Sequence, residues 1–122
     1  MPTSPPRVLV VEDNPETRGS LRLLLSLRGH EVREAADGPE AVRQALRWRP
    51  DAVISDIGVP GIDGLEVARQ VRRALGAGVL LIALSGYVRD EDRDLSLAAG
   101  FDHHLDKPVE PDELLGLLRR AS

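Results

Sequence analysis

Four points along this chain carry side chains that could do chemistry together. Asp56 follows the short apolar run Ala52-Val53-Ile54 and precedes Gly58, Pro60, Gly61, Asp63 and Gly64, a loop by composition. Glu12 and Asp13 close the run Arg7–Val11, Ser85 closes Val79–Leu84, and Lys107 stands just beyond His103–Leu105. Three carboxylates in one place repel and raise one another's pKa, a penalty that a divalent cation removes. Hard oxygen donors with no His or Cys among them point to Mg2+, which keeps several waters and favours a phosphate partner. Lys107 is a point charge suited to a phosphoryl oxygen, and Ser85 is a hydroxyl donor. Taken singly, Asp56 reads equally as an acid that ends a strand, and Lys107 as half of an ordinary salt bridge. The case rests on whether the fold brings them together.

Five alternations of strand and helix do so. The strands are Arg7–Val11, Glu31–Ala35, Ala52–Ile54, Val79–Leu84 and His103–Leu105; the second is the most polar and belongs at an edge. Asn14 caps the first helix with Pro15 at its first position, and Gly29 stops it. Asp37/Glu40 and Asp63/Glu66 have capping-box spacing before the second and third helices. Predicted inner faces are Leu21, Leu24 and Leu25; then Ala41, Val42, Ala45 and Leu46; then Leu65, Ala68, Val71 and Leu75. The fourth helix, Arg89–Ala99, is weaker, with apolar positions only at Leu95, Leu97, Ala98 and Ala99. The last starts at Pro111 and carries Leu114, Leu115, Leu117 and Leu118. This is an α/β pattern, a doubly wound parallel sheet with helices on both faces. Among the few right-handed topologies, the flavodoxin-like (βα)5 order 2-1-3-4-5 is the expectation. Every parallel strand then ends at one edge, and Glu12, Asp13, Asp56, Ser85 and Lys107 converge there.

Composition narrows the classes. At 122 residues the chain has the size of one domain, with 42% hydrophobic but only 2% aromatic residues, so aliphatic side chains must fill the core. The net charge of −4 argues against direct nucleic-acid binding. No cysteine is present, which excludes disulfides and thiolate chemistry. No apolar run approaches membrane-spanning length, and the start lacks a signal-peptide core; the expectation is a cytoplasmic protein without membrane insertion. Residues 1–6 read as a flexible tail or linker remnant before a domain at 7–120.

The motifs VLVVEDN at Val8–Asn14, SDIGVPGIDG at Ser55–Gly64, ALSG at Ala83–Gly86 and DKP at Asp106–Pro108 resemble, in this order and spacing, the receiver domain of two-component response regulators. The resemblance implies that Asp56 accepts a phosphoryl group from a phosphohistidine on a sensor kinase or histidine phosphotransfer protein. It implies Mg2+ held by Asp13, Asp56 and the Gly58 carbonyl, with Glu12 acting through a water. Lys107 and Ser85 would bind the phosphoryl group, Ser85 would move as a switch, and the Lys107–Pro108 bond would be cis. Autophosphorylation and slow autodephosphorylation follow, rather than conventional enzyme turnover, and the output surface would be helix four, strand five and helix five, where a downstream protein binds.

Departures from the family sit beside the site. Receivers commonly carry Tyr or Phe three residues before the lysine; here it is His104, either a surface strand residue or a working switch. His103 and His104 are strand neighbours and should face opposite ways, which argues against a shared metal. Gly58 and Tyr87 occupy the positions that tune attack by water, and Trp48 reads as a packed or half-exposed ring. Three alternatives stay open: the receiver of a hybrid sensor histidine kinase in a phosphorelay, a degenerate module that is never phosphorylated, and an aspartyl-nucleophile phosphatase. The last would want a second acid where Gly58 stands.

Overall fold

The computed structural model describes residues 5–57, 61, 63–86 and 90–121. The elements alternate as the sequence predicts: β1 Val8–Val11, α1 Pro15–Leu27, β2 Val32–Ala35, α2 Gly38–Trp48, β3 Ala52–Asp56, α3 Gly64–Leu75, β4 Leu80–Ser85, α4 Asp90–Ala99, β5 His103–Asp106 and α5 Pro111–Ala121, with a 3-10 turn at Gly76–Gly78. The five strands are parallel in the order β2-β1-β3-β4-β5, with β2 at an edge. Strand limits differ from expectation by one residue, and by two at the end of β3: Arg7, Glu31 and Val79 lie outside, while Ser55, Asp56, Ser85 and Asp106 pair within the sheet.

Alternation along the strands divides the core. Leu9, Val11, Val53, Leu81 and Ala83 pack with α2 and α3; Val8, Val10, Ile54, Ile82 and Leu84 pack with α1 and α5. Burial on both faces is why these strands read as continuous apolar runs. The caps form as predicted on the acceptor side. Asn14 accepts from the Glu16 and Thr17 amides, Asp37 from Glu40 and Asp63 from Glu66. The reciprocal half of the capping box goes elsewhere: the Glu40 side chain takes Arg43 and Gln44, and that of Glu66 takes Arg69 and Gln70. Arg43 and Gln44 accordingly hold the exposed Glu40 carboxyl below its ordinary pKa.

Several inner-face expectations are corrected. Leu46 is 45% exposed, because α2 buries Ala41, Ala45 and Trp48 at helical spacing and Leu46 falls beside that stripe. In α4, Leu95 and Leu97 are each 53% exposed and Ala98 is exposed; of the expected positions only Ala99 faces inward, and Ser96 joins it. Trp48 is packed, with the Arg7 and Arg33 guanidiniums 5.0 and 4.7 Å from its ring centroid. No helix among the described residues is long and apolar enough to cross a membrane.

Candidate functional site

The carboxyl ends of β1, β3 and β5 bring Glu12, Asp13, Asp56 and Lys107 to one place. The Glu12 amide donates to Ala35 O at 3.0 Å and so extends the β1–β2 pairing one residue into the site. Its side chain is only 1% exposed. Asp56 is the last residue of β3 and pairs with Leu84. Lys107 follows β5 directly; its amide donates to Ser85 O at 2.9 Å, and the Lys107–Pro108 bond is cis. From there Lys107 Nζ donates to Glu12 Oε1 at 2.6 Å and to Asp56 Oδ2 at 2.9 Å.

One ammonium therefore serves two carboxylates. Burial pushes the Glu12 carboxyl up and the neighbouring Asp56 pushes it further, while the Lys107 hydrogen bond opposes both; the net direction is upward. For Lys107, burial alone favours the neutral amine, but the hydrogen bonds to Glu12 and Asp56 outweigh it and leave the ammonium raised.

Glu12, Asp13 and Asp56 each offer a carboxylate oxygen within 4.8 Å of the others. Glu12 Oε2 is buried and has no hydrogen-bond partner among the described residues. A buried, unbonded carboxylate oxygen is unfavourable unless something positive meets it. The donor set fits a hard divalent cation: three acids, oxygen ligands only, one of them carrying an unsatisfied lone pair.

Of the remaining predicted site residues, Ser85 ends β4 half-buried, beside Asp106 in register, and its carbonyl anchors Lys107. Gly58 and Tyr87 lie outside the described residues. His104 lies beside Ala83 and His103 beside Ile82, so the two imidazoles fall on opposite faces. His104 is no bare surface residue: its Nδ1 is 2.9 Å from Ser96 Oγ, and Ser96 is fully buried in α4.

Two features escaped sequence reasoning. Arg18 Nη1 donates to the Glu12 carbonyl at 2.9 Å and ties α1 to the site; nothing in the spacing marks that bond. A groove of about 790 Å³ opens between α1 and the segment after β5, lined among others by Thr17, Leu21, Leu24, Lys107, Pro108 and Val109. Its walls are some ninety residues apart in sequence, so only the fold reveals it.

Response regulator MprA of Mycobacterium sp. strain KMS is 43% identical over 122 residues, spanning 97% of this chain and 53% of its own. The chain thus spans about half the length of that relative. An uncharacterized 14.6 kDa protein from the sodA1 3' region of Leptolyngbya boryana is 40% identical over 114 residues, 93% of this chain and 87% of its own. Among solved structures, the receiver domain of sensor histidine kinase PA1611 from Pseudomonas aeruginosa PAO1, crystallised with a magnesium ion coordinated in the active site cleft, superposes with a TM-score of 0.86 at 37% identity, over 94% of this chain and 95% of that one. A CheY-like response regulator receiver domain protein from Methanospirillum hungatei JF-1 gives 0.87 at 30% identity, over 93% and 90%. The profile of the family described as response regulator receiver domain matches residues 8–119. Because that match runs from the first strand into the last helix, the chain belongs to the response regulator receiver domains.

Proposed function

We propose that Asp56 accepts a phosphoryl group from a phosphohistidine on a sensor histidine kinase or histidine phosphotransfer protein. The observation that carries this reading is the Lys107 bridge to Asp56 and Glu12 beside Asp13, at the edge where the parallel strands end. Asp13, Asp56 and the Gly58 carbonyl would hold Mg2+ directly, and Glu12 through a water. When bound, the ion neutralises the clustered carboxylates and the phosphoryl oxygens. Lys107 fixes the Asp56 carboxylate by its Oδ2. A carboxylate oxygen of Asp56 attacks phosphorus in line, the P–N bond to the imidazole breaks, and its electron pair stays on the departing nitrogen. Positioning and charge neutralisation carry the rate. Lys107 and the Ser85 hydroxyl then meet the transferred phosphoryl oxygens.

The groove beside Lys107 supports a helical donor: its apolar wall of Leu21, Leu24 and Val109 leads to the site, so a helix laid along α1 brings an imidazole toward Asp56. On the far side, α4, β5 and α5 form the output face for a downstream protein, with Ser85 and His104 as switches. The Ser96–His104 bond links α4 to β5 there, and Leu95 and Leu97 offer exposed apolar contacts. Residues 7–120 act as the receiver unit after a tail or linker at 1–6, in the cytoplasm. The likeness to the PA1611 receiver supports a second reading, a phosphorelay receiver of a hybrid kinase. The test is phosphate uptake from phosphorylated kinase and, separately, from a phosphotransfer protein, with Mg2+. Base-labile phosphate on the wild type and none on Asp56→Asn is expected; phosphate on Asp56→Asn refutes the assignment.

A further inference from the structure

Gly64 opens α3 and is buried against the end of β3. A Cβ placed on it would lie 2.6 Å from Asp56 O, 2.6 Å from Ile57 Cα and 3.0 Å from Ile57 O. All three are backbone atoms, so no flexible side chain can swing away. Gly64 is not among the glycines with positive φ, so backbone conformation does not demand a glycine here. Glycine is also a poorer helix residue than alanine. Close approach is what requires it.

The peptide it touches is held from other sides. Gly64 N donates to Ile57 O at 2.7 Å, Ile57 N to Leu84 O at 3.1 Å, and Ser55 Oγ to Asp56 O at 3.0 Å. Helix α3 cannot easily retreat, because Val67, Ala68 and Val71 are buried in the core and Asp63 caps its start. We propose that Gly64 and Ser55 are positioning residues for phosphoryl transfer: together they clamp the Asp56–Ile57 peptide and so aim the Asp56 carboxylate at Lys107. This rests on Asp56 being the phosphoacceptor.

Adding one methyl at position 64 forces the peptide outward from 2.6 Å toward ordinary contact near 3.4 Å, about 0.8 Å. A misplacement of about 1 Å at a reacting group costs on the order of 100-fold in rate.

The test compares Gly64→Ala, Ser55→Ala and Val71→Ala, the last destabilising the same helix without touching the peptide. Uptake from acetyl phosphate at saturating Mg2+ is measured, together with the Mg2+ dissociation constant by calorimetry. Gly64→Ala should slow uptake at least tenfold and weaken Mg2+ binding. Ser55→Ala, which adds no volume, should slow it several-fold. Val71→Ala should lose stability with rate and Mg2+ binding unchanged. A wild-type rate in Gly64→Ala, or a loss no larger than in Val71→Ala, overturns the clamp. If Gly64→Ala does not fold, Ser55→Ala decides, and unchanged rate and Mg2+ binding there overturn it. A wild type that takes no phosphate refutes the phosphoacceptor reading instead, and the Mg2+ constants still decide the clamp.

Discussion

Replacing Lys107 by Met keeps most of the side chain's bulk and removes its charge. Glu12, 1% exposed, then loses the bond to Oε1 while Oε2 has none among the described residues, and Asp56 loses the Lys107 bond at Oδ2. Removing one partner of a buried ion pair typically costs about 3–5 kcal/mol. Lys107 and Asp56 are 25% and 16% exposed, so water reaches the pair and the loss should fall near 2–3 kcal/mol at pH 7 without divalent metal. The pH dependence has a definite sign. The Glu12 carboxyl is raised above its ordinary 4.5, so the native state holds that proton more tightly than the unfolded chain, and Glu12 subtracts stability as pH climbs from 4.5 through its folded value. Lys107 normally limits this cost, and its own raised ammonium stays charged until well above neutral. Without Lys107 the Glu12 value climbs further. The deficit of Lys107→Met against wild type should therefore be largest at pH 7 and shrink toward pH 5. Mg2+ should return stability to the variant, about 2.7 kcal/mol at 100 times its dissociation constant, and more than it gives the wild type, where Lys107 competes for the same oxygens. Urea unfolding followed by the single tryptophan, Trp48, in EDTA and in Mg2+, reads all of this. A variant as stable as wild type at pH 7 in EDTA, or a deficit equal at pH 7 and pH 5, refutes the reasoning.

Asp13→Asn should weaken Mg2+ binding roughly 10- to 100-fold, the worth of one charge-assisted contact of about 1.5–3 kcal/mol; calorimetry giving a wild-type constant would remove the acidic cluster as the metal site. Ser96→Ala should free α4 from His104 and speed its amide exchange about fivefold, for a lost hydrogen bond of about 1 kcal/mol, with β1 and β3 unchanged. Phosphorylation should change amide exchange chiefly between Ser85 and Leu118; a change confined to α2 would contradict the proposed output face. Gly58→Asn and Tyr87→Ala should shorten the phosphorylated lifetime, since a glycine orients no water and a tyrosine ring can cover the phosphorus; tenfold needs only about 1.4 kcal/mol, and decay after donor removal at or below the wild-type rate in both variants excludes the idea.

Where topology alone dictates position, the sequence was readable. Parallel strands must end at one edge, so Glu12, Asp13, Asp56 and Lys107 could be brought together without coordinates, and the acceptor halves of all three caps followed from Asn14, Asp37 and Asp63. What could not be read is set by contacts through space. That Lys107 holds Glu12 as well as Asp56 depends on where Nζ lands, 95 residues from one partner and 51 from the other. The same is true of Arg72, which joins α3 to Gly100 and Asp102. Apolar content also misled where a helix has little core to face. In α4 the leucines were the natural anchors, yet Leu95 and Leu97 point to solvent while Ser96 is buried. A reason lies on the neighbouring strand: β5 presents His104 at that height, and a buried hydroxyl meets its imidazole nitrogen, which a leucine could not do. The histidine where the family carries an aromatic ring and the buried serine that breaks the apolar pattern of the helix across from it are thus joined by one bond, and each gives the other a polar partner in a buried place.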